Sequence, residues 1–498
     1  MMRLIRDLVL VAVSGALALP AHAEPRLIQL PGNSPLVTIR IVFTTGAASD
    51  PANKPGLAHL TGIMLGEGGT KNLSYKQIVD AMYPLATSVS VYSDKEMTTF
   101  VGATHVDNLN RFYGLMRDMI LYPGWRADDF ERLRDDAVNA LRVSLRSNND
   151  EELGKEELYS VIYSGRPYGR EDLGTVSALR AMTVADTERF YHAHYTQANL
   201  IIGLAGGYPA DFAARVKRDF SGLPAGPADS FKMPEPAQIE HNHATIIQKE
   251  TRAVAWSFGF PIDVKRGDAD YPALLLAESY LGQHRLSSGR LFQRLRELRG
   301  LNYGDYAYIE YYPRGMFRLE PEPNLARHQQ IFQIWIRPVE PPNAAFALRA
   351  ALFELDKLVK DGIPQEGFNE TREFLSKYIN LLTKTKSAEL GYAIDSAYYA
   401  IPDYNQYIRS ALDNLTVADV NRAVRKHLRS GNLEIVAVAK DAAGLSAELT
   451  GTAPTPIHYN TSKPQDVLDE DKVVERWPLN LRTEDVKVVP VETVFEND

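Results

Sequence analysis

Eleven histidines and no cysteine set the chemistry open to this 498-residue chain. Without thiols there is no disulfide, thiolate nucleophile, Cys-ligated zinc, iron–sulfur cluster or lipoprotein acylation. Any metal must be held by imidazole and carboxylate. Two His-x-His pairs are present, His192-Ala193-His194 and His241-Asn242-His243. On a strand, alternate residues share a face, so either pair could converge on a metal. We read both as structural, because His194 belongs to an internal repeat and the second pair closes a polar, proline-bearing stretch. His59 sits alone in an apolar helical pattern and reads as a satisfied, partly buried histidine. Glu67, Asp94 and Glu96 are carboxylates near it in sequence. Arg296 and Tyr303 stand seven residues apart, at the end of a helical pattern and the start of the next strand. A guanidinium and a phenol both donate to a peptide carbonyl, and to the oxyanion that forms when water attacks it. The residues alone leave that grip and a surface ion pair beside a half-buried tyrosine equally open. Arg290, Arg294 and Arg299 read as a solvated helix face or an interface.

The elements that must position these groups follow from periodicity and punctuation. Strands are predicted over Val37–Thr44, Ser88–Tyr92, Thr98–Ala103, Val254–Phe260, Tyr303–Glu310, Gly315–Glu320 and Ile331–Ile336. Helices are predicted from Pro55, after Ser74, and over Val106–Ile120, Arg126–Arg146, Asp268–Leu281, Ser287–Arg299, Ala344–Val359 and Gln365–Leu381. Strands and helices mix without strict alternation, so the class is α+β. The chain also repeats itself. Thr183-Val184-Ala185-Asp186 recurs as Thr416-Val417-Ala418-Asp419, an offset of 233, and at that offset His194 meets His427 and Asn199-Leu200 meets Asn432-Leu433. Each copy is a Thr-x-x-Asp capping box followed by an apolar, β-rich run. Phe112 near Phe346 and Phe130 near Phe368 extend the match upstream. The sequence therefore divides into two homologous halves, 24–221 and 244–450, joined by a proline-bearing linker, 222–243. The segment 451–498 reads as an extension packed on the body.

Composition narrows the function. The chain is 24% charged and 45% apolar, with a formal net charge of -8 and no Lys/Arg block. That balance suits a globular protein and lacks the basic face of a nucleic-acid binder. At the N-terminus, Met1–Arg6 is basic, Leu8–Leu19 is apolar, and Ala21-His22-Ala23 is a small-x-small cleavage site. This is the pattern of a secretory signal peptide over 1–23, cut before Glu24. The apolar run is short for the roughly 20 residues that span a bilayer. The expectation is an exported protein in the periplasm of a Gram-negative bacterium, with no membrane span after cleavage.

The segment from Gly56 to Thr70, GLAHLTGIMLGEGGT, resembles the active helix of the insulinase/pitrilysin (M16) zinc peptidases. Pro167-Tyr168-Gly169-Arg170 with Gly174-Thr175, and Tyr191, His194-Tyr195 and Asn199, are similar to further family signatures. The most specific match is Ser287 to Tyr303, SSGRLFQRLRELRGLNY. The resemblance implies two halves of the M16/LuxS-like metallohydrolase fold, closing as a clamshell when paired. Active members carry His-x-x-Glu-His on one helix, where two histidines one turn apart share zinc and the glutamate activates water. Here His59 fills the first position, Gly62 the glutamate and Ile63 the second histidine. The third ligand, a downstream glutamate, falls at Asn139. One ligand of three survives and the base is gone, so no metal or other cofactor is expected in this chain. The resemblance also implies that Arg296 and Tyr303 grip substrate. The sequence is thus similar to the zinc-less Arg/Tyr subunit of the short-chain, processing-peptidase-like (M16B) branch, which pairs with a zinc-bearing M16 paralogue around a peptide substrate. The expected partner carries the Zn²⁺. The alternative is a non-catalytic scaffold or peptide-binding protein on a degenerate peptidase fold.

Overall fold

The computed structural model describes residues 25–229, 235–236, 238–313 and 319–497. The signal peptide expected over 1–23 lies outside the described residues, as does residue stretch 315–318 of the strand expected over Gly315–Glu320.

Among the described residues eleven strands form two mixed sheets. The first holds β1 (Arg26–Pro31), β2 (Leu36–Phe43), β3 (Ser90–Ser93), β4 (Thr98–His105) and β5 (Leu200–Gly206), in the order β1-β5-β2-β4-β3. The second holds β6 (His243–Gln248), β7 (Val254–Ile262), β8 (Asn302–Tyr308), β9 (Gln330–Val339), β10 (Glu434–Ala439) and β11 (Val486–Pro490), in the order β11-β6-β10-β7-β9-β8. With β11 set aside the two orders are the same under β1/β6, β5/β10, β2/β7, β4/β9 and β3/β8. The senses agree as well. β1 runs parallel to β5 as β6 does to β10, and every other equivalent pair is antiparallel. The class is α+β with two homologous halves.

The repeated capping boxes are real. The Asp186 carboxylate accepts from the Thr183 N–H at 3.0 Å, and Asp419 from Thr416 at 3.1 Å. Each opens a helix, Val184–His194 or Val417–His427, that feeds an interior strand, β5 or β10. The two histidines at the ends of these helices each meet an aspartate. His194 Nδ1 lies 2.9 Å from Asp229 and His427 Nε2 lies 2.8 Å from Asp270. The repeat therefore accounts for His194 structurally. It stands in the last turn of a helix, not on a strand, so His192 and His194 do not share a face.

The halves exchange helices. Helix Asp150–Ile162, from the first half, packs on β7 and β10 of the second sheet. Helix Lys386–Tyr398, its counterpart near the repeat offset, packs on β1, β2 and β5 of the first. This is why β2 is buried along both faces. Val37, Ile39, Ile41 and Phe43 enter the first-half core. Val42 turns the other way, toward Ile201, Ala205, Leu390 and Ile394. At the exchange, Asp150 accepts from Lys249 and, at 2.6 Å, from the Thr251 hydroxyl.

A buried polar seam crosses the same boundary. Asp94 and Glu96 lie in the turn between β3 and β4. The Arg327 guanidinium clasps Asp94 with two hydrogen bonds and lies 3.5 Å from the Tyr311 ring centroid. Glu96 accepts from the His328 N–H at 3.0 Å and also bonds the Tyr168 and Tyr398 hydroxyls. Asp94 and Glu96 are thus committed to the join between halves.

Candidate functional site

The helix that resembles a zinc motif is α1 (Leu57–Glu67). Asp50 caps it. Its two carboxylate oxygens accept from the Gly56 and Ala58 N–H groups, each at 2.7 Å. Burial pushes this carboxyl up to about 7, against the pull of those two N–H groups. The helix lies tightly on the edge strand β3. A Cβ at Gly66 would come within 2.2 Å of Val91 Cγ2, so only glycine allows this approach. At Gly62 a Cβ would stand 3.2 Å from Thr98 Cγ2, 3.6 Å from Val91 Cγ1 and 3.7 Å from the Tyr195 hydroxyl. The space beside residue 62 is therefore already filled.

This donor set does not fit zinc. His59 and Ile63 are half-buried one turn apart, and isoleucine offers no lone pair. Glu67 is the next polar group on that face, two turns from His59, about 12 Å along the axis. It cannot share one ion with His59. Asn139 is exposed at the end of helix Ala127–Asn139. There the helix widens into i→i+5 bonding over Ala140–Ser147, where an uninterrupted helix over Arg126–Arg146 was expected. Among the described residues the one cluster with ligand spacing is elsewhere, at His241, His243 and Asp485.

The structure does bring Arg296 and Tyr303 together. Arg296 Nη1 donates to the Tyr303 carbonyl at 2.9 Å. Its guanidinium carbon lies 4.6 Å from the Tyr303 ring centroid and 4.7 Å from that of Phe292. The tyrosine stands on β8, the edge strand equivalent to β3, and is 65% exposed. Stacking of this kind holds a planar guanidinium in one orientation while leaving N–H groups outward. The segment carrying Arg296 is not the regular helix expected over Ser287–Arg299. Residues Phe292–Glu297 bond i→i+5, and the chain then turns at Gly300, whose φ is +69°. Such widened turns recur at functional sites.

Arg299 corrects the expectation of a solvated face. It is buried, with Nε 2.8 Å from Asp471 Oδ1 and Nη2 2.6 Å from Glu470. Arg294 joins Glu470 and, at 2.9 Å, Glu354, which also takes Arg290 at 3.0 Å. Glu470 and Asp471 belong to helix Gln465–Val474 in the C-terminal extension. Sequence gives the charge of Arg299 but not a partner more than 170 residues away. Asp305 was also missed. It is buried two residues beyond Tyr303, and its Oδ1 accepts from Asn302 Nδ2 at 2.6 Å.

The family model described as Insulinase (Peptidase family M16) matches residues 29–176, and that described as Peptidase M16 inactive domain matches 181–375. Together they span most of the chain. An uncharacterized zinc protease of Rickettsia bellii is 24% identical over 289 residues, 57% of this chain and 67% of its own length. The uncharacterized zinc protease YmxG of Bacillus subtilis is 24% identical over 277 residues, 55% of this chain and 65% of its own. Among solved structures, a peptidase M16 inactive domain from Pseudomonas fluorescens superposes with a TM-score of 0.73 at 22% identity, covering 84% of this chain and 96% of that one. The periplasmic protease PqqL from Escherichia coli gives 0.67 at 15% identity, covering 91% of this chain and 49% of PqqL.

Proposed function

The chain belongs to the M16 peptidase family, and from that premise we propose that it is an exported subunit of a heterodimeric metalloendopeptidase that lacks the family's catalytic zinc site. The observation that carries this reading is the contrast between its two edge-strand sites. On α1 only His59 of the zinc donors remains and the base is absent. Beside β8 the Arg296–Tyr303 stack is intact and outward. The PqqL alignment supports a paired arrangement, because this chain corresponds to half of that protein. A zinc-bearing M16 paralogue would supply Zn²⁺ and the base. This chain would supply donors that orient a peptide carbonyl and stabilise the oxyanion formed on it. The periplasm is the proposed location, in keeping with the N-terminal pattern.

The test is the complex purified with its native partner. Arg296→Ala or Tyr303→Phe should lower kcat/KM roughly a hundredfold, the scale for losing one oxyanion donor. Assembly and the partner's zinc content should not change. Arg296→Lys should rescue poorly, because an ammonium lacks the planar fork. The isolated chain should hydrolyse no peptide. A complex that stays assembled and fully active in both variants would replace this reading with the peptide-binding scaffold.

A further inference from the structure

The pair His241 and His243 lies where three parallel strands meet. In register, His243 faces Glu434 on β10. On its other side β11 pairs Val486 with Ala244, which sets Asp485 beside His243. His241 Nε2 is 2.9 Å from Asp485 Oδ1, and the two imidazole centroids are 4.3 Å apart. One ligand atom from each of His241, His243 and Asp485 lies within 4.8 Å of the other two. Two ligand atoms on a tetrahedral zinc are about 3.3 Å apart, so modest side-chain rotation closes the set. His243 Nδ1 lies 3.2 Å from Glu434 Oε1. Among the described residues His243 Nδ1 has no hydrogen bond, so a small rotation of the ring can turn it to that carboxylate, which would orient the imidazole and leave Nε2 for the ion.

A cation already sits against this cluster. Arg482 Nη2 is 2.9 Å from Asp485 Oδ1 and 3.2 Å from His241 Nε2. The guanidinium is 61% exposed, so it can swing into solvent. The imidazoles are 42% and 38% exposed, which leaves the ion an entry path. We propose that His241, His243 and Asp485 bind one divalent transition-metal ion, with Glu434 positioning His243 and Arg482 holding the place of the ion in its absence. Two imidazoles and one carboxylate suit Zn²⁺, Co²⁺, Ni²⁺ or Cu²⁺, with an open position for water. The ion would fasten the C-terminal strand β11 to β6 and to the end of the inter-half linker. It is a second metal question, separate from α1.

The experiment uses the full mature chain, free of any histidine tag and stripped with chelator. Zn²⁺ is titrated by calorimetry, and Co²⁺ by its visible absorption. One ion per chain is expected. His243→Ala and His241→Ala should each weaken binding at least about tenfold, and Glu434→Gln by about tenfold. Arg482→Gln should tighten it, since a competing cation is removed. His59→Ala should change nothing. Because His241 is half-exposed, its variant remains readable if a change at Asp485 disturbs β11. Absence of saturable binding, binding untouched by both histidine variants, or binding lost only with His59→Ala would overturn the proposal.

Discussion

Asp305 lies two residues from Tyr303 and is 2% exposed. Among the described residues its Oδ2 has no hydrogen-bond partner. Burial pushes its carboxyl up to about 7, opposed by the Asn302 hydrogen bond and the Arg296 charge. A raised acid binds its proton more tightly in the folded than in the unfolded chain. Stability from this group is therefore present below about pH 4 and lost as pH rises toward 7. Asp305→Asn keeps an acceptor for Asn302 and removes the ionisation. The variant should match the parent at about pH 3.5 and exceed it by about 2–4 kcal/mol at pH 8. Urea unfolding at the two pH values measures this, and an equal difference at both would contradict it. At this scale the sequence was legible where it lacked something. Set against the family motif that α1 resembles, Gly62, Ile63 and Asn139 stand where donors would be. It was not legible where a residue's role depends on a distant partner, as for Arg299, or on burial, as for Asp305.

Elements were legible where the helical or strand pattern in the sequence is strong. The helices after Ser74 and from Ala344 fall close to expectation. Helix Asp150–Ile162 was not foreseen. Its polar sequence conceals burial against the opposite sheet, where Lys155 lies between Glu151 and Glu152 at 2.6 and 2.9 Å. The i→i+5 turns at Ala140–Ser147 and Phe292–Glu297 were also invisible, because one added residue per turn barely alters the apolar pattern. The second of these depends on the extension helix Gln465–Val474, through Arg299. Arg299→Ala would leave Asp471, which is buried, without its guanidinium. Breaking one side of such a pair costs about 3–5 kcal/mol. The variant should lose stability on that scale and expose the extension to limited proteolysis. In the reconstituted complex it should also lower kcat/KM, by loosening the Arg296 turn. Unchanged proteolysis and unfolding would show that the extension is held by other contacts.

At the scale of the molecule, the duplication was legible from a tetrapeptide, a histidine and an Asn-Leu pair in one register. The exchange of helices was not, because a repeat fixes what is similar and not what is packed against what. The exchange has a thermodynamic consequence. Each sheet is covered partly by a helix of the other half, so neither core is complete alone. Unfolding by heat or denaturant should be one transition in which both halves report together. Arg327 is the sharpest probe of that coupling. It is 0% exposed, clasps Asp94 across the boundary and stacks on Tyr311. Arg327→Met should destabilise the chain by about 3–5 kcal/mol, since it strands a buried carboxylate. Asp94→Asn should cost less, because Asp172 still lies 3.9 Å from the Arg327 guanidinium and offsets its charge. The double variant should cost less than the two singles together, by at least about 1 kcal/mol, as groups in direct contact are not additive. Probes in the first and second halves should shift by the same amount in every variant. If the second-half signal alone moved, with additive energies, the seam would be a local ion pair and the halves would fold independently.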